Sequence, residues 1–161
     1  MHVTAAALLT LSAATGGGWV PAPSAPWDVA AGARCDVAVH GEPVVDEVVR
    51  RVVSTNPDGS VKSEAYKGDL VIRLTNTTEG PDGPSYDADA SGRAYITYGD
   101  DGSQHWTVAG PVLVGFAENG GTLPRGLYLI DGLYTLDITA TGHKTLKLYQ
   151  GSIDDLCNRI D

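Results

Sequence analysis

Cysteine is nearly missing from this chain: 161 residues contain two, Cys35 and Cys157. That excludes a disulfide-dense framework and leaves room for a single bridge. Basic residues are also scarce, 11 Lys and Arg against 20 Asp and Glu, and the formal net charge is −9. The acids are scattered, with Asp100-Asp101 and Asp154-Asp155 the Asp pairs. A dispersed acidic surface argues against nucleic acid or an anionic membrane as partner, because both attract clustered Lys and Arg. An integral membrane helix is not expected either. Ala5 to Ala14 is an apolar run of ten residues, where a bilayer span needs roughly 20.

Catalytic signatures are missing too. Gly-x-Ser-x-Gly does not occur, and Ser103 follows Asp101-Gly102 in an evident turn. His40, His105 and His143 have no second His or Cys at i+2 or i+4, so no local metal spacing of that kind exists. Asp87-Ala88-Asp89-Ala90-Ser91-Gly92 copies the first half of a calcium loop. Its twelfth position is Tyr98, where calcium needs a bidentate carboxylate, so a polar turn between strands is the better reading. No catalytic, cofactor-binding or metal residue is assigned, and no cofactor is expected. Tyr95, Trp106, Tyr128 and Tyr134 are candidates for a ligand-binding face, although single aromatics on strands more often serve the core or its rim.

What the chain does have is turn formers. Gly occurs 20 times and Pro nine, a composition that favours many short elements over long helices. Residues 1–33 read as signal peptide and linker, and 34–161 as one β-rich domain. The run from Ala5 to Ala14 has the length of a signal-peptide core, with small residues for cleavage at Ser12 and Ala14, or at Ala31 and Ala33. No Lys or Arg precedes Arg34, so the usual basic start is lacking. Arg34 before Cys35 also argues against a lipid anchor. Residues 15–33 are rich in Gly, Pro and Ala without an apolar period, as a linker would be. An exported chain with an even, minimal cysteine count predicts a Cys35–Cys157 disulfide. Asn76-Thr77-Thr78 is a glycosylation sequon whose use depends on the host.

From Cys35 onward, period-two alternation dominates. Leu70, Ile72 and Leu74 share a face, as do Ala94, Ile96 and Tyr98, then Val112, Val114 and Phe116, and finally Leu146 and Leu148. Asn56-Pro57-Asp58-Gly59, Gly99-Asp100-Asp101-Gly102, Asp131-Gly132 and Thr141-Gly142 supply reversals between strands. Residues 44–53 carry helix-like apolar spacing, but six of the ten are Val, so a long strand is expected. Gly151 should end the last strand. Ser152 then caps a helix over 152–160 that carries Cys157 on its apolar face. The fold expected is all-β: an antiparallel meander forming a barrel or sandwich, with a short C-terminal helix.

Several of these segments carry a resemblance: Asn56-Pro57-Asp58-Gly59-Ser60, Asp101-Gly102-Ser103, Gly110-Pro111-Val112-Leu113, Pro124-Arg125-Gly126-Leu127, Asp131-Gly132, and Gly151 before Asp155-Leu156-Cys157. In this order they resemble secreted actinobacterial β-rich proteins of unknown function, over most of 35–161. The resemblance implies export and a β-rich domain, and it brings no activity. Two functional classes stay open. One is an exported, non-catalytic domain that binds a cell-envelope component or a small apolar ligand. The other is a barrel enzyme of isomerase or cyclase type that uses lumen residues.

Overall fold

The computed structural model describes residues 17–161. The apolar run Ala5 to Ala14, read above as a signal-peptide core, lies outside the described residues. The strands are β1 (Val20–Pro21), β2 (Trp27–Val29), β3 (Val39–Asp46), β4 (Val49–Thr55), β5 (Val61–Lys67) and β6 (Leu70–Asn76). They continue with β7 (Ser85–Asp89), β8 (Arg93–Tyr98), β9 (Gln104–Ala109), β10 (Val112–Phe116), β11 (Gly126–Ile138) and β12 (Lys144–Asp155). A 3-10 turn, Leu156–Arg159, follows. The fold is all-β, as the alternation predicts. The large sheet has eight strands in the order β1-β4-β5-β8-β9-β11-β10, with β12 on β11; the small sheet has four, β2-β3-β6-β7. Among the described residues neither sheet closes into a barrel, and the pair fits a sandwich.

The long strand β11 organises the large sheet. Along one edge it pairs with β12 from Tyr128 to Ile138. Along the other its first half pairs with β10 and its second half with β9. A cis Gly110–Pro111 peptide joins β9 to β10. At this junction a line of glycines crosses the sheet. A Cβ on Gly110 would sit 2.4 Å from the Ile130 carbonyl oxygen, one on Gly132 1.9 Å from that of Gln150, and one on Gly151 1.8 Å from that of Asp131. Gly132 and Gly151 also take positive φ, +120° and +133°. Only residues without a Cβ let three backbones approach so closely in this conformation. The result is a crease. Tyr128 and Ile130 before it, and Tyr134 and Leu136 after it, lie on one strand face and pack into one cluster with Val108, Val114 and Phe116. The sheet therefore curls around its own concave side.

Before the crease, both faces of β10 and β11 are buried. Leu127 and Leu129 alternate with Tyr128 and Ile130 and pack with Leu113 against Val39, Ile72 and Leu74 of the small sheet. The 3-10 turn plugs the same core with Leu156 and Ile160. The Cys35–Cys157 disulfide closes it, with 5.4 Å between Cα atoms and 122 residues of sequence between them. Closing a loop of that length stabilises the fold by about 5 kcal/mol on the chain-entropy account. Nearby, the Asn76 side-chain amide donates to the Ile160 carbonyl at 3.0 Å. The sequon asparagine thus fastens the C-terminus.

Several local expectations need correction. The C-terminal helix is not an α-helix over 152–160. Strand β12 runs through Gly151, because Ser152, Ile153 and Asp154 stay paired with Asp131, Ile130 and Leu129. Asp155, not Ser152, is the cap; it accepts from the Cys157 amide at 3.0 Å. Asp131-Gly132 is likewise no hairpin turn, since its glycine serves the crease inside β11. Residues 44–53 are extended, but they break at Glu47-Val48 and pass from the small sheet to the large one. The connections are not a plain meander: β3 pairs with β6, and β5 with β8. Within the span read as leader and linker, β1 adds to β4 and β2 to β3. Elements of two and three residues are too short to show an alternation.

Gly132→Ala is expected to cost about 3 kcal/mol or more, since it meets both a backbone clash and a left-handed φ. Gly59→Ala makes the control: its φ is +88°, but no atom lies within 4 Å of the added Cβ, so about 1 kcal/mol is expected. Urea unfolding of the two variants measures the difference. Equal costs would mean that the close approach at the crease is not what the glycine serves.

Candidate functional site

The crease curls the large sheet, and the core around Phe116 and Tyr134 fills only part of the concave side. Towards β5 and β8 the same face carries smaller cover, and a cleft of about 330 Å³ remains. Its long wall is the face predicted from alternation, Ala94, Ile96 and Tyr98 of β8, together with Gln104 and Trp106 of β9. Leu70 and Ala90 bound it from the small-sheet side. Ala22 and Ser24, from the segment after β1, form an outer wall. That segment is held by the Ala22 amide on the Val48 carbonyl at 2.9 Å and the Ser24 amide on the Asp46 carboxylate at 2.6 Å. Next to it, Arg51 and Lys67 stack on the Trp19 ring at 5.0 and 4.4 Å.

Beside this apolar wall sits a carboxylate. Glu64 of β5 stands opposite Ile96 and therefore points to the concave face. Its side chain is 7% exposed. Tyr66, two residues along the same strand, donates its hydroxyl to Glu64 Oε1 at 2.7 Å. Tyr98, diagonally across on β8, donates to the same oxygen at 2.5 Å. Arg50 of β4, paired with Tyr66 in register, donates from Nη1 to Glu64 Oε2 at 3.1 Å. Period two along β5 and the diagonal neighbour across the ladder bring these groups together.

The electrostatics follow from that geometry. Burial pushes the Glu64 carboxyl towards the neutral form. The hydroxyls of Tyr98 and Tyr66 and the Arg50 guanidinium outweigh it, and the net shift is downward. Burial and the neighbouring carboxylate push Tyr66 and Tyr98 the other way, so both phenols stay protonated well above neutral pH. The cluster is an ionised carboxylate locked between two phenol donors and one cation. Tyr66 and Tyr98 line the cleft; on β9, Gln104 Oε1 accepts from Trp106 Nε1 at 2.8 Å.

Of the four aromatics singled out from sequence, Trp106 lines the cleft. Tyr128 and Tyr134 are buried in the core, and Tyr95 is exposed on the opposite face of the sheet. Glu64, Tyr66 and Tyr98 were missed as a site. The available signal is Glu64-x-Tyr66 on a strand, an acid and a phenol on one face; the third member comes from a strand whose pairing the sequence does not state. The histidines, isolated in sequence, do find carboxylates. His40 Nδ1 lies 2.8 Å from Asp28, and His105 Nδ1 2.6 Å from Asp137. Both pairs are at the surface and outside the cleft. In the calcium-like loop, Asp87 is engaged by Arg73 through two hydrogen bonds, and Asp89 accepts from the Ser91 amide. Among the described residues no group of three or more His, Cys, Asp or Glu is placed to hold a metal ion. Among the described residues no helix is long and apolar enough to cross a membrane. No protein-family model, curated protein or solved structure matches the chain.

The depressed Glu64 pKa sets a pH dependence. A group held below its unfolded value stabilises the fold above that value, about 4.3 for Glu, and the contribution fades as pH falls through the folded value. Glu64→Gln is expected to cost about 2 kcal/mol at neutral pH, since it weakens charge-assisted hydrogen bonds at a buried group. The gap from the parent should narrow as pH drops below about 4. Thermal melts of both proteins between pH 7 and 3 check this. A gap that stays constant would mean that Glu64 is not held as an anion.

Proposed function

We propose that the chain is an exported, non-catalytic β domain that binds a small apolar ligand in the cleft between its sheets. One observation carries this: a cleft of about 330 Å³ walled by Ile96, Trp106, Leu70 and small residues, open at the margin of the two apolar clusters. Ligand sites of this kind run from about 300 to 1,000 Å³, with mostly apolar walls and a few placed polar groups. Export is supported by the disulfide that links Cys35, between β2 and β3, to Cys157 in the 3-10 turn and by the leader-like composition of the first residues. An enzyme would use the same cleft. Glu64 is its buried carboxylate, and both oxygens already accept hydrogen bonds from protein donors. A general base must instead reach a substrate proton, so the binding role fits this arrangement better.

The neutral fluorophore N-phenyl-1-naphthylamine tests the proposal. Saturable binding of one dye per chain is expected. Ala94→Phe, which puts a ring into the cleft wall, should weaken it at least tenfold while the circular dichroism stays that of the parent. No saturable binding, or binding indifferent to Ala94→Phe, would refute the proposal.

A further inference from the structure

The polar end of the cleft has an unusual donor and acceptor balance. The hydroxyl hydrogens of Tyr66 and Tyr98 are both committed to Glu64 Oε1. What each phenol can still offer is an oxygen lone pair, so both act there as acceptors. Gln104 has the opposite balance. Its Oε1 is taken by the Trp106 indole N–H, and its NH2 group remains as a donor. A group seated between them must therefore donate to a phenol and accept from an amide.

Charge narrows the choice. The Glu64 anion is matched by Arg50, whose guanidinium touches its second oxygen. Lys67 also borders the cleft, but its ammonium is engaged over the Trp19 ring at 4.4 Å. A cationic head would find no free anion, because both Glu64 oxygens already accept from protein donors. An anionic head would meet phenol oxygens that have no hydrogen to give, with the Glu64 carboxylate directly behind them. Either charge would leave water for a site that does not replace its hydration. A hydroxyl carries one donor and two acceptor lone pairs, and it is small enough to leave the rest of the cleft to an apolar body.

We infer that the ligand of this cleft is a neutral alcohol: a compact apolar body with one hydroxyl set between the phenol oxygens of Tyr66 and Tyr98 and the amide of Gln104. This rests on the apolar-cleft binding proposed above and adds the head group. The two fail separately in the following experiment.

The probes are four adamantanes with nearly the same body: 1-adamantanol, 1-methoxyadamantane, 1-adamantylammonium and adamantane-1-carboxylate. Each is titrated calorimetrically into the full chain at neutral pH. The alcohol is expected to bind at least tenfold more tightly than either charged probe, and about fivefold more tightly than the methyl ether, which accepts but does not donate. A charged probe that equals or exceeds the alcohol would overturn the inference, and so would an ether that equals it. Binding of N-phenyl-1-naphthylamine without binding of 1-adamantanol would overturn the head group alone. Binding of neither would overturn both.

Discussion

The structure depends on backbone contact between glycines. Gly110, Gly132 and Gly151 stand side by side on three neighbouring tracks of the large sheet, each so close to a facing carbonyl that a methyl group would not fit. A twisted sheet without such a line would stay open and leave Phe116, Tyr128 and Tyr134 in water. The crease instead folds one face inward, which buries them together. It also turns the outer face of β10 and β11 towards the small sheet, which builds the second core. One constraint on side-chain size thus generates two cores, and the disulfide pins the second of them.

The cleft is a consequence of the same curl. Bulky residues fill the concave side near β11, whereas Ala90, Gly92 and Ala94 leave it open towards β8. Gly92 approaches the Pro111 carbonyl so closely that its Cβ would lie 2.4 Å away, so smallness there serves both backbone packing and space. Tyr66 and Tyr98 complete the wall, and Glu64, itself held by Arg50, fixes both phenols. A buried carboxylate with this many donors fixes the side chains around it, because any rearrangement would leave a charge unpaired. The cleft therefore keeps its shape when empty, which lowers the ordering cost of binding.

Much of the fold was legible in the sequence. Alternation alone placed Ile72 and Leu74, Ala94, Ile96 and Tyr98, and Val114 and Phe116 on the faces they occupy. The Asn56–Gly59 and Gly99–Gly102 reversals close as turns with the Gly59 amide on the Asn56 carbonyl and the Gly102 amide on that of Gly99. What stayed hidden is non-local. Asp131-Gly132 and Gly151 have turn chemistry, and a positive-φ glycine in a crease reads the same as one in a hairpin. Strand order was equally opaque: nothing local says that β3 pairs with β6, or that β5 lies beside β8. For that reason the meeting of Glu64 with Tyr98, 34 residues apart, was out of reach, although Glu64-x-Tyr66 was in plain view.

The central claim is that the creased sheet encloses a permanent apolar cleft between Trp106, Ile96 and Leu70. Crystals of the chain under xenon pressure test it most directly, because xenon occupies preformed apolar cavities without needing a head group. Xenon density against Trp106 and Ile96, with the surrounding backbone unchanged from the xenon-free crystal, is the predicted result. A cleft filled by collapsed side chains or by ordered water that xenon does not displace would contradict it.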